Sequence, residues 1–102
     1  MPADKDFHIA RNIKVVDWIK TQMLESLTLL YKGLQEPDEE KVLEGLAEGL
    51  LWHYLLSRRL GIPFHELEEK IISKLHTYKN QGHHLEEWFQ DFSVLEEYMA
   101  KR

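Results

Sequence analysis

The feature that most constrains the fold is a long apolar stripe in the first third of the chain. Between residues 7 and 34, apolar residues recur at spacings of three and four, which is the period of one face of an α-helix. The stripe consists of Ile9, Ile13, Val16, Ile19, Met23, Leu27, Leu30 and Leu34. We therefore predict a helix over residues 7–34, with Asp6 as its N-cap.

A proline and an acidic residue mark the boundary between this helix and the next. Pro37 lacks a backbone donor and disfavours helical geometry in the residue before it, so the first helix should end ahead of it. Asp38 follows directly and is a favoured N-cap residue. The apolar residues from there to Leu60 predict a second helix over residues 38–60.

A glycine and a second proline separate this helix from a third. Glycine is common just past the end of a helix, and proline is common in a first turn. Gly61 and Pro63 have this order, which predicts a third helix over residues 64–79.

The C-terminal segment predicts a last helix over residues 84–100. Ser93 and Glu96 have the spacing of a capping box, so we expect this helix to break near residue 92. No strand pattern or internal repeat competes with the helical periods. The fold class is therefore predicted to be all-α, a helical bundle of about four helices.

Composition limits both the size of the domain and its partners. The chain has 102 residues, 43% hydrophobic and 30% charged, which predicts a single domain over residues 1–102 with a flexible N-terminus at residues 1–6. A formal charge of -5 opposes binding to nucleic-acid phosphates. The chain has no cysteine, and no apolar run approaches the roughly 18 residues of a membrane span. We expect a cytoplasmic protein with neither nucleic acid nor membrane as a partner.

Two segments of the chain together resemble the MazG-like family. Residues 44–48 read Glu-Gly-Leu-Ala-Glu, and an apolar run leads from them to Leu-Gly-Ile at residues 60–62. The segment 29–34 agrees in register with the helix that precedes the turn in that family. The resemblance covers about residues 9–98 and implies an all-α fold built on a long antiparallel helix hairpin. Members are nucleoside triphosphate pyrophosphohydrolases in which four carboxylates, two on each helix, hold magnesium.

The resemblance also indicates which residues occupy the four carboxylate positions here. They fall on Ser26 and Leu29 in the first helix and on Gly45 and Glu48 in the second, so three positions lack a carboxylate. No cofactor is therefore expected. If the chain is active, Glu48 with the neighbouring Glu44 and Glu25 would supply the ligands for Mg²⁺.

These residues leave two classes of function open. The first is a non-catalytic or weakly active relative that acts as a binding or regulatory module, with a nucleotide or another protein as its partner. The alternative is a divergent magnesium-dependent pyrophosphohydrolase. A purely structural interaction module is a third possibility that no sequence feature separates from the first.

Two further features concern packing. Gly45 and Gly49 lie four residues apart in mid-helix, where glycine is unfavourable, so we expect close helix packing with Leu29 filling the adjacent space. A ligand site kept open by small residues is the alternative.

The three tryptophans and a second stripe on the first helix, made by Val15, Trp18 and Leu29, predict a homo-oligomer, either a dimer or a tetramer. The resembled family also implies such an assembly.

The histidines form no metal-binding motif. None of the six has a partner at the H-x-x-x-H spacing, and adjacent His83 and His84 point in different directions on a helix. His53, between two aromatic residues, is best interpreted as a hydrogen-bonded core or interface residue.

Overall fold

The computed structural model describes the backbone of residues 2–101 and the side chains of residues 12–101. Over this part of the chain it contains helices and connecting turns and no strand, which confirms the all-α prediction. The helices are α1 (Pro2–Gln35), α2 (Glu39–Arg59), α3 (Phe64–Asn80), α4 (His84–Phe89) and α5 (Asp91–Ala100). No helix among the described residues has the length and apolar character needed to cross a bilayer.

The helices form two compact units. The N-terminal unit holds α1 and α2 and ends at Ile62, and the C-terminal unit begins at Pro63 and holds α3, α4 and α5. The prediction of a single domain stays a prediction, and the units are described separately below.

Helix α1 begins earlier than the sequence predicts. It starts at Pro2 instead of Phe7, so Asp6 lies within the helix and the assignment of Asp6 as N-cap is wrong. Proline suits a first turn because the N–H that it lacks has no partner there. The predicted flexibility of residues 1–6 is untested, since Met1 and the side chains of residues 2–11 lie outside the described part of the chain.

The two ends of α2 follow the sequence closely. The Asp38 side chain accepts a hydrogen bond from the Lys41 backbone N–H at 3.2 Å, which confirms it as the N-cap. At the other end, Gly61 adopts a left-handed φ of 84°, and the Ile62 N–H donates to the Ser57 carbonyl at 2.9 Å. Glycine adopts this conformation without the steric cost that a side chain would bring, so the helix ends here.

Close contact between α1 and α2 defines the N-terminal unit. A Cβ placed on Gly45 would lie 2.7 Å from the backbone nitrogen of Leu30, and one placed on Gly33 would lie 2.7 Å from that of Val42. Pairing 30 with 45 and 33 with 42 makes the hairpin antiparallel. Near the open end, the Asn12 amide donates to the Arg59 carbonyl at 3.1 Å. The close packing expected at Gly45 is therefore observed.

Contacts between α5 and α3 hold the C-terminal unit together. Lys79 Nζ and His76 Nε2 of α3 lie 3.3 and 3.0 Å from the two carboxylate oxygens of Glu96. The Tyr78 and Phe92 rings stack with their centroids 5.4 Å apart. These contacts place α5 against α3.

The predicted break in the last helix occurs two residues earlier than expected, at Gln90, which has a left-handed φ of 57°. The capping box is wrong, because Ser93 does not pair with Glu96. Its N–H and hydroxyl donate instead to the two oxygens of Glu86, at 3.0 and 2.5 Å. The acceptor for the Ser93 N–H is therefore Glu86 of α4, while the Glu96 carboxylate contacts His76 and Lys79 of α3.

The two mid-helix glycines of α2 should respond in opposite ways to alanine. Gly45→Ala places a methyl group against the Leu30 backbone, so we expect a loss of about 1–3 kcal/mol in the free energy of unfolding, as for an overpacked core. At Gly49 the nearest atom is Ser26 Oγ at 3.6 Å, so Gly49→Ala should gain about 0.5–1 kcal/mol from helix propensity. Urea unfolding of both variants measures these changes. Equal changes in the free energy of unfolding would contradict the close approach of the two helix backbones at Gly45.

The hydrogen bonds from Ser93 lower the pKa of Glu86 below its ordinary value. The unfolded-state pKa of a glutamate is about 4.3. The stabilisation from Glu86 is thus fully present at neutral pH and is lost as the pH falls through the lower folded-state pKa. In Glu86→Gln we expect a lower free energy of unfolding at pH 7 and a weaker dependence of that free energy on pH in the acid range. Unfolding monitored by circular dichroism at a series of pH values measures both. Glu87→Gln removes the same charge one residue away and should keep the wild-type acid profile.

Candidate functional site

A cleft in the N-terminal unit contains most of the residues that the sequence marked as a candidate site. It has a volume of about 190 Å³ and lies between α1 and α2. Its lining residues are Gln22, Glu25, Ser26 and Leu29 of α1 and Glu44 and Glu48 of α2. Of the predicted set, only Gly45 is absent from the lining.

Helix geometry explains how the three glutamates come to share the cleft. Glu44 and Glu48 are four residues apart, so they lie on the same side of α2. Glu25 lies on α1, which runs antiparallel beside it. Glu48 is half-buried, whereas Glu25 and Glu44 are exposed. The structure thus brings together the three acids proposed as alternative ligands.

Glu48 is already engaged by a neighbouring side chain. The Trp52 indole Nε1 donates a hydrogen bond to Glu48 Oε2 at 2.7 Å. The Trp52 ring also meets the Trp18 ring edge to face, with centroids 5.1 Å apart and planes at 88°. The carboxylate is therefore tied to an aromatic contact between the two helices.

Sequence reasoning did not find the pair of Glu48 and Trp52. A signal was available, because residues four apart on a helix are neighbours and an indole N–H needs an acceptor when it is part-buried.

The residues at the other three family positions take part in helix packing or in a hydrogen bond within their own helix. Ser26 is 6% exposed, and its hydroxyl donates to the Met23 carbonyl of its own helix at 2.7 Å. Gly45 is covered by the backbone of Leu30, so the expectation that the Leu29 side chain fills this space is wrong. Leu29 instead lines the cleft. The reason is the close helix approach, which leaves no volume for a side chain at Gly45.

The residues at this site do not fit a magnesium ion as they are placed. Mg²⁺ requires near-octahedral oxygen ligands at about 2.0–2.1 Å. Leu29 and Gly45 offer no side-chain oxygen, and one of the two Glu48 oxygens, Oε2, already accepts a hydrogen bond from Trp52. Among the residues whose side chains are described, no group of three or more His, Cys, Asp or Glu side chains has the geometry to hold a metal ion.

His53 lies on the opposite side of α2 from the cleft. It is exposed, and its Nδ1 is 2.6 Å from the Gly49 carbonyl, so its ring is hydrogen-bonded within its own helix. It lines an apolar groove between α1 and α2. This contact agrees with its interpretation as a hydrogen-bonded residue, but its exposure shows that it is not a core residue, and a place in an interface stays a prediction.

Comparison with known proteins agrees with the geometry of the hairpin. A model of the MazG-like family matches residues 9–92, which is most of the chain. No curated protein and no solved structure matches it. The chain belongs to the MazG-like family, and this relates it to the nucleotide pyrophosphohydrolase superfamily.

The tryptophan contact at the cleft predicts a stability difference between two conservative variants. Trp52→Phe removes the charge-assisted hydrogen bond to Glu48, for which we expect a loss of about 1.5–3 kcal/mol in the free energy of unfolding. Trp88→Phe changes an exposed residue and should cost less than about 0.5 kcal/mol. Urea unfolding followed by circular dichroism measures both. A neutral Trp52→Phe would show that the bond adds nothing.

Proposed function

We propose that this chain is a non-catalytic member of its family that acts as a binding module. The observation that carries the proposal is the hydrogen bond between the Trp52 indole and the Glu48 carboxylate. Glu48 is the one carboxylate left at the four family positions, and its oxygen accepts a hydrogen bond from Trp52. The remaining positions carry a hydroxyl bonded to its own helix, a leucine and a glycine covered by backbone.

The electrostatics of the reaction support the same conclusion. Cleavage of a triphosphate requires positive charge to offset the negative charge that develops on the phosphoryl oxygens. The cleft is lined by three glutamates and by no lysine or arginine. Without a tightly held cation, these carboxylates repel a triphosphate instead of stabilising its transition state.

The same charge argument bears on the ligand. A free nucleotide presents phosphates to a cleft lined by three acids, which is unfavourable. A protein partner imposes no such penalty, and its basic side chains would be attracted. We therefore favour another protein over a nucleotide as the bound partner, with regulation by binding as the role.

One observation favours the alternative of a divergent pyrophosphohydrolase. Glu25, Glu44 and Glu48 do line one cleft, as that hypothesis requires. In that case these three carboxylates would hold Mg²⁺, which would supply the positive charge for phosphoryl cleavage. In that arrangement Glu48 would bind the ion through Oε1, because only its Oε2 accepts the hydrogen bond from Trp52.

Activity and metal binding together test the proposal. We expect no release of diphosphate above background from a panel of nucleoside triphosphates with millimolar Mg²⁺ or Mn²⁺. Calorimetry should show Mg²⁺ bound no more tightly than about 1 mM, a standard free energy of about -4 kcal/mol, and the metal should not raise the melting temperature.

The opposite result identifies the enzyme. Steady diphosphate release that is lost in Glu48→Gln would contradict the non-catalytic proposal. Loss in Glu44→Gln and Glu25→Gln as well would establish the substitute ligand set. Glu40→Gln, which removes an acid of the same helix that does not line the cleft, is the matched control and should leave any activity unchanged.

A further inference from the structure

The segment that holds the last two helices carries the net charge of the chain. Residues 80–100 contain no lysine or arginine and five acidic residues, which are Glu86, Glu87, Asp91, Glu96 and Glu97. The other 13 of the chain's 18 acidic residues are matched by its 13 lysines and arginines. The formal charge of -5 is therefore concentrated in residues 80–100, and the rest of the chain is neutral overall.

Helix α5 uses one side to pack against α3. Phe92, Glu96 and Met99 follow one another at steps of three and four and are half-buried. The Phe92 ring stacks on the Tyr78 ring of α3. The Glu96 carboxylate lies 3.3 Å from Lys79 Nζ of α3. This side of α5 is therefore occupied within the C-terminal unit.

The opposite side of α5 is exposed. We define the open stripe by four exposed residues, which are Asp91, Val94, Leu95 and Tyr98. They share one side of the helix, because the last three follow Asp91 by three, four and seven residues. The exposed fractions are 61% for Val94, 44% for Leu95 and 65% for Tyr98. The stripe thus presents apolar surface, an aromatic ring and a negative charge together.

The chemistry of the open stripe suits a basic amphipathic helix. Such a helix carries apolar residues at steps of three and four, which can cover Val94 and Leu95. A lysine or arginine beside these apolar residues can pair with the Asp91 carboxylate, and a cation above the Tyr98 ring is attracted by the face of the ring. Tyrosine is also one of the residue types that contribute most to binding at the centre of an interface.

We propose that the open stripe docks a helix of another protein, in which an apolar side is flanked by lysines or arginines. Charge decides the choice of partner, because five acidic residues in a segment without a basic one attract a cationic surface and steer its approach. A nucleic acid or an anionic membrane would be repelled by the same charges. A second copy of the chain would bring its own five acids to the contact.

The docking surface is separate from the site of the proposed function. The open stripe lies in the C-terminal unit, whereas the acidic cleft is lined by residues of α1 and α2 only. A chain that hydrolyses nucleotides could still dock a basic helix on α5. Peptide binding therefore tests the open stripe alone, and measurements of activity and metal binding test the proposed function alone.

Peptide binding to the whole chain provides the test. The lysine peptide is synthetic, with about 14 residues, leucines on one helical side and lysines flanking them. The glutamate peptide has glutamate in place of every lysine. Fluorescence anisotropy of the labelled peptides measures both affinities. We expect the lysine peptide to bind with a Kd below about 100 µM, and the glutamate peptide to bind at least ~10-fold more weakly.

Two tyrosines provide a matched pair of variants. Tyr98 is 65% exposed on the open stripe, and Tyr31 is 63% exposed on α1. Tyr98→Ala should weaken binding of the lysine peptide at least ~10-fold, and Tyr31→Ala should change it less than ~2-fold. Circular dichroism establishes that both variants are folded.

A second pair keeps the test decisive if Tyr98→Ala fails to fold. Asp91→Asn should weaken binding of the lysine peptide at least ~3-fold, because it removes the carboxylate of the open stripe. Glu40→Gln removes one exposed acid of α2 and changes the net charge equally, so the affinity should stay within ~1.5-fold of the wild type.

Four results would overturn the proposal. The first is a lysine peptide that does not bind below about 100 µM, and a Val94→Cys thiol that also resists alkylation would then mean that this chain or a second copy covers the stripe. The second is equal binding of the glutamate peptide. The third is binding that Tyr31→Ala weakens and Tyr98→Ala does not, which would place the peptide on the hairpin. The fourth is binding that Glu48→Gln weakens and Asp91→Asn does not, which would place it in the acidic cleft.

Discussion

The arrangement of the N-terminal unit depends on the close approach of two helix backbones. At Gly45 and Gly33 there is no room for a side chain, because the backbones of Leu30 and Val42 lie where a Cβ would be. Gly45, which lies in mid-helix, costs about 0.5–1 kcal/mol relative to alanine, and the contact it permits offsets that cost. This approach fixes the register of α1 against α2 and therefore decides which residues face each other across the hairpin.

The fixed register gives the hairpin two unlike sides. One side carries three glutamates and the pair of Trp18 and Trp52, and the other carries a stripe of exposed leucines. In the resembled family the first side would hold magnesium between four carboxylates. Here a glycine and a leucine occupy two of these positions, and an indole N–H donates to the one carboxylate that is left. Helix packing and hydrogen bonding thus occupy the positions that the resemblance assigns to metal ligands.

Much of the fold could be predicted from the sequence because its signals are local. Asp38 caps α2 and Gly61 ends it, and both act on backbone groups within a few residues. Apart from the Asp6 N-cap, the failures concern contacts between separate helices. The capping box at Ser93 had the right spacing, yet Glu86 supplies the cap because α4 folds back towards α5. The apolar stripe on α1 has the period of one helical face, yet Ile19 is buried whereas Leu27 and Leu34 are exposed. Periodicity identifies a helical face without saying what covers it.

We propose that Glu48 belongs to a packed contact with Trp52 and not to a metal site. The most direct test of this proposal is an ¹H–¹⁵N spectrum of the three tryptophan indole groups during addition of Mn²⁺, whose unpaired electrons broaden nearby signals. We expect the Trp52 indole signal to keep its intensity at micromolar Mn²⁺, as the signal of the exposed Trp88 does. Selective, saturable loss of the Trp52 signal under these conditions, reversed by excess Mg²⁺, would contradict it.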